Sequence, residues 1–127
     1  MMDVARALYQ FWSGFGIPAY VEGYIPDNSV TDGTPVVPPY ISYQLATPYW
    51  KNNQSLHATI WYRDTSYAAI TAKVDAIANA IGEGLSIPLD GGFMVLYKDA
   101  NFCQFQPFDD DNTVKMAYLS LQLNVYA

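Results

Sequence analysis

Three features of the 127-residue sequence could do chemistry: His57, its only histidine; Cys103, its only cysteine; and the acidic run Asp109-Asp110-Asp111-Asn112. An imidazole becomes a general base when a serine or cysteine nucleophile lies within hydrogen-bond reach and a carboxylate orients the ring from behind. The sequence assembles no such set around His57. It falls on the polar side of the alternating string SLHATIWY, which reads as a surface or interface imidazole. Cys103 lies within the aromatic string FCQFQPF, where a small buried thiol is expected. The acidic run bunches carboxylate oxygens, but it lacks the alternate spacing, central glycine and distal glutamate of a helix-loop-helix calcium loop. It reads as a turn between strands. Gly82-x-Gly84 and Asp90-Gly91-Gly92 carry neither the lysine nor the following hydroxyl residue of a phosphate loop. These residues predict no catalytic site, no metal site and no bound cofactor, and therefore not an enzyme.

The elements that would position such residues are easier to read. Ile70, Val74, Ile77 and Ile81 recur at helical spacing and put one apolar stripe on a helix spanning residues 66–81. Asp64, Thr65 or Ser66 can accept a hydrogen bond from the first-turn amides, and Gly82 with Gly84 supplies the stop. A shorter helix, residues 3–15, gathers Val4, Leu8, Phe11, Trp12 and Phe15 on one side. Ile17-Pro18 prevents its continuation, and residues 19–24 alternate weakly, as a strand does. Residues 40–47 and 55–62 alternate clearly and predict an antiparallel hairpin. Beyond the second helix, residues 93–98 and 102–108 read as two strands separated by a turn at 99–101. Residues 114–126 form the longest alternating run, which belongs near the sheet centre. Residues 25–39, IPDNSVTDGTPVVPP, form an extended arm or a loose hairpin about Asp32-Gly33, in which Val36 and Val37 could pair with an earlier strand. The prediction is one α+β domain over residues 1–127: a mostly antiparallel sheet covered by two helices, with an extended loop or hairpin arm.

Composition narrows the partners. A net charge of −6, with only six basic residues scattered along the chain, leaves no stripe to neutralise phosphates, so specific nucleic-acid binding is not expected. The sequence contains no apolar run long enough to span a membrane, and no basic leader followed by an apolar core. One cysteine cannot form an internal disulfide and fits a reducing cytosol. Hydrophobic residues make up 51% and charged residues 14%, and 11 tyrosines raise the aromatic share to 16%. Tyrosine can bury its ring while its hydroxyl keeps a partner, so this excess predicts contact between subunits. Tyr49, Trp50, Trp61 and Tyr62 could stack on bases or sugars, but without flanking cations protein contact is the better use.

Several strings, taken in this order, resemble the tail terminator (tail completion, or minor tail) proteins of long-tailed bacteriophages. They are Gly16-Ile17-Pro18-Ala19-Tyr20 closing the first helix, Pro38-Pro39-Tyr40-Ile41-Ser42-Tyr43 opening a strand, and Ile60-Trp61-Tyr62 feeding the second helix. The long final strand agrees, so the resemblance spans essentially the whole chain. It implies a structural virion protein without catalysis, made in the host cytoplasm and built into the neck of the virion. Such a protein forms a ring, commonly a homohexamer, that caps the tail tube, ends its polymerisation and takes part in head-tail joining. The partners implied are other copies of the chain, the tail tube protein and a head connector or stopper protein. An acidic lumen would pass DNA without gripping it. Asp27, Asn28, Val30, Asp32 and Val36 of the arm, with Tyr49, Trp50 and Trp61, are the expected protein-protein interface. The alternatives are another neck component, connector or stopper, and a small-molecule-binding α+β domain with a polar cluster in an apolar pocket.

Overall fold

A computed structural model describes residues 3–22, 37–45, 54–64, 66–108 and 111–126. In chain order these form α1 (Val4–Ser13), β1 (Ala19–Val21), β2 (Tyr40–Tyr43), β3 (Gln54–Arg63), α2 (Ala68–Ile81), β4 (Leu85–Leu89), β5 (Gly92–Phe108) and β6 (Asp111–Tyr126). The strands make one curled six-stranded sheet in the order β1-β2-β3-β6-β5-β4, and every pairing except the parallel β1-β2 pair is antiparallel. The architecture is α+β, as expected, and the long final strand does lie near the sheet centre.

Each helix begins and ends for a local reason. Asp3 caps α1 by accepting the Arg6 amide at 2.8 Å, and the helix buries Val4, Ala7, Leu8 and Trp12. Trp12 stacks on Tyr43 of β2, which places α1 on the same side of the sheet as the core. In α2, Ser66 Oγ accepts the Ala68 amide at 3.3 Å, and Gly82 ends the helix at a φ of 57°. Its buried residues are Ile70, Val74, Ile77 and Ile81, the stripe read from the sequence. They pack over β3, β6 and β5. At roughly 2 kcal/mol per buried aliphatic side chain, the stripe contributes on the order of 8 kcal/mol before entropy is charged against it. Lys73, on the flank of α2, donates from Nζ to the Phe15 carbonyl just beyond α1 and ties the two helices together. The α1 helix also touches both outermost strands, β1 and β4, so it spans the gap left by the curl.

Strand alternation sorts the sheet into two faces. Leu56, Ala58 and Ile60 of β3, Met94 and Leu96 of β5, and Ala117, Leu119, Leu121, Leu123 and Val125 of β6 point under the helices and are buried. Tyr43 and Ile41 extend that core into β2.

Three local expectations are corrected. Residues 92–108 form one strand rather than two. Between Lys98 and Cys103, β5 advances five residues while β6, from Leu121 to Leu119, advances two. The polar residues at 99–101 enter a bulge in which Asp99 Oδ1 takes the Ala100 amide at 2.8 Å, so the chain returns to the same ladder instead of turning away. Residues 85–89 are an edge strand that the sequence reading missed. The two-residue loop Asp90-Gly91, with Gly91 at a φ of 80°, closes on the Leu89–Gly92 pair. Bonded pairs then alternate from Leu89, so the missing N–H of Pro88 falls on the outward edge, where a proline is tolerated. Val37 belongs to no strand and is 60% exposed, and β1 pairs with β2 instead. No helix among the described residues is long and apolar enough to cross a membrane.

Candidate functional site

Both helices lie on one face of the sheet; on the other, called here the open face, Ser42, Val114 and Met116 toward one end are buried, while Ser55, His57, Phe93, Gln104, Gln106, Tyr118 and Tyr126 are exposed. Register arranges that open face in rows. One row crosses from Tyr20 through Ser42, Thr59 and Tyr118 to Gln104; the next runs Tyr40, Trp61, Met116, Gln106. His57 and Ser120 are opposite each other at the middle, then come Ser55, Gln122 and Tyr97. At the far end Tyr126, Phe93 and Pro88 lie side by side.

Aromatic residues line this face in clusters. The Tyr40 ring stacks on Trp61 at 6.0 Å and meets Tyr20 edge-on at 5.9 Å, while Phe93 and Tyr126 stack at 5.0 Å. Phe93, Tyr118 and Tyr126 are 43%, 38% and 47% exposed. Trp61 is half-buried, not fully exposed as an interface anchor was expected to be, because its ring lies against Tyr40 and its indole N–H donates to Ser42 Oγ at 3.3 Å. Burial raises the Tyr40 phenol, with Tyr20 adding to the shift, so the hydroxyl stays protonated and able to donate. Tyr97 lies over Gly84, where an added Cβ would come within 2.9 Å of the ring and the φ is 155°, so a side chain there would displace this aromatic.

The groups singled out for chemistry fall on different faces. His57 is exposed on the open face, its Nδ1 lies 3.3 Å from Ser120 Oγ, and its amide donates to Gln44 Oε1 at 2.9 Å. This serine-imidazole contact was not foreseen, because it joins strands 63 residues apart in sequence. The described residues contain no group of three His, Cys, Asp or Glu side chains that could hold a metal ion. Cys103 is half-buried on the helix side, and burial, reinforced by the Asp75 carboxylate, raises its thiol so that the nucleophilic thiolate is disfavoured. Lys115 is buried over the Tyr67 ring at 5.4 Å, a cation-π contact beside the start of α2. Asp109 and Asp110 lie outside the described residues, while the backbone on either side pairs Phe108 with Asp111, as the two arms of a strand turn do.

Of the expected interface residues, Asp27, Asn28, Val30, Asp32, Val36, Tyr49 and Trp50 lie outside the described residues, and Trp61 is on the open face. The residues that accompany it there, Tyr20, Tyr40, Tyr118, Phe93 and Tyr126, were not singled out from the sequence. The signal that could have found them is the polar half of each strand's alternation: Tyr118, Ser120, Gln122 and Asn124 between the leucines of β6 carry no charge. The chain matches no family model, no curated protein and no solved structure.

Proposed function

We propose that the protein is a structural assembly subunit without catalytic activity, of the tail-terminator kind found in long-tailed bacteriophages. Its copies form a ring that caps the tail tube, stops tube growth and joins the tail to a head connector. The observation that carries this reading is the set of aromatic residues on the sheet face away from the helices, where Phe93, Tyr118 and Tyr126 are exposed and available to partners. The element order resembling that family supports the same conclusion. A net charge of −6 suits a wall that DNA passes without binding. The test is to mix the purified protein with tail tubes and examine them by negative stain. A ring on one tube end, with tubes that no longer lengthen, is the expected result. Binding to filled heads with bare tube ends would instead assign it to another part of the neck, and multiple turnover of a substrate dependent on His57 would refute a purely structural role.

A further inference from the structure

Strands β1 and β2 are neighbours that run in the same direction, with Ala19, Tyr20 and Val21 beside Ile41, Ser42 and Tyr43. Two parallel neighbours cannot be joined by a tight turn. The chain that leaves β1 at Val21 has to travel back along the sheet before it enters β2 at Tyr40, so the connection between them passes over one face or the other. Chirality chooses the face. Such crossovers are right-handed almost without exception. His57 accepts the Gln44 amide from the β2 side, and for L-residues a backbone bonded to that side sends the His57 side chain to the face away from the helices. With the hand of the sheet fixed in this way, a right-handed path from β1 to β2 runs across the open face and not beneath the helices.

Burial on that face agrees. Met116 is 6% exposed, Val114 5% and Ser42 7%, yet Tyr118 and Gln106, which flank Met116 there, are exposed. Neighbours that themselves meet solvent do not bury a methionine from the side, so its cover lies above it, and the helices are on the other face. Reach singles out one stretch of chain. Residues 46–53 join β2 to the Gln54 end of β3, whereas Met116 pairs with Trp61 near the other end, roughly 24 Å along the strand. Residues 109–110 only join the paired Phe108 and Asp111. Residues 23–36 can extend to roughly 45 Å. The return from β1 to β2 uses roughly 10–14 Å of that length, and β6 is two strand spacings from β2, about 10 Å, so the connection has chain to spare for Met116. The same stretch contains Tyr24, Ile25, Val30 and Val36, apolar groups that gain from leaving water over Met116 and Val114.

We infer that the end of the open face holding Ser42, Val114 and Met116 is occupied by residues 23–36 of the same chain, crossing it right-handed from β1 to β2, so that the part with Phe93, Tyr118 and Tyr126 is what remains for a partner. The inference does not depend on the tail-cap reading, since it concerns contacts within one molecule. The test uses the intact chain made with photo-methionine in place of methionine, irradiated, digested and read by mass spectrometry. A bond from position 116 to a peptide within residues 23–36, in product of monomer mass, is the expected result. A bond from position 116 to any other stretch or to a second molecule, or reaction with solvent alone, overturns the inference. Deleting residues 27–34 gives an independent readout, because the remaining chain, roughly 20 Å when extended, completes the crossover without reaching Met116. Hydrogen peroxide should then oxidise Met116 at least about tenfold faster than in the wild type, while Met94, 0% exposed beneath the helices, keeps its wild-type rate as the internal reference. A folded deletion variant whose Met116 oxidises at the wild-type rate overturns the inference, and should the variant fail to fold, the cross-link in the intact chain decides alone.

Discussion

Replacing Ile77 tests the orientation of α2 and with it the division of the sheet into a core face and an open face. Its side chain is 0% exposed beneath the helix. Ile77→Ala removes that packing and leaves a cavity, a loss of about 2–5 kcal/mol. Ile77→Asp adds a carboxyl with no partner in an aliphatic setting. Desolvation raises the folded-state pKa of such a group, and a rise of roughly three units above the unfolded value near 4 costs a further 4 kcal/mol or so at neutral pH. The sum, about 6–9 kcal/mol, rivals the 5–15 kcal/mol total stability of ordinary domains, so the variant should be largely unfolded at pH 7. The sign with pH follows from linkage. The folded form binds the proton more tightly, so the penalty is smallest below the unfolded pKa and grows as pH rises toward the folded one. Circular dichroism should therefore recover helical signal on moving from pH 7 to pH 5. Ala76→Asp, one residue away on the exposed side, should stay within about 0.5 kcal/mol of wild type. Wild-type melting of Ile77→Asp, or equal damage from both substitutions, would mean that the stripe does not face the sheet.

Gly91→Ala meets no atom within 4 Å but must hold a φ of 80°, so chemical denaturation should register a loss of about 1 kcal/mol from backbone conformation alone. Cys103, with its thiol raised by burial and then by Asp75, should alkylate more slowly than free cysteine at pH 8 and speed up as pH climbs. Asp75→Asn should quicken the reaction, read by mass spectrometry. Lys73→Met removes the donor to the Phe15 carbonyl and should lower stability by about 1–2 kcal/mol.

Legibility followed the range of the interactions. The α2 stripe could be read because helical packing repeats within four residues, and all four of its apolar positions are buried. The centrality of β6 could be read because its alternation is long and unbroken. The bulge in β5 could not: Asp99 and Asn101 look like turn residues, and only the ladder with β6 on either side shows the strand resuming. The short β4 was masked by Pro88, whose cost vanishes only at an edge. Trp61 was legible as an aromatic on the polar side of β3, but its neighbours were not. Tyr40, Ser42 and Tyr118 join it only through register between strands far apart in sequence, which no local pattern encodes. The contact between His57 and Ser120 has the same origin.

The position of α1 against both β1 and β4 has a consequence for handling the protein. One short N-terminal segment guards the two rims of the sheet at once, so clipping it would uncover both margins in a single event. Rims freed this way recruit strands from other molecules. Proteolysis near the beginning of the chain should therefore end in fibrous precipitate rather than in a smaller soluble particle, and an intact first helix should be the practical safeguard against it.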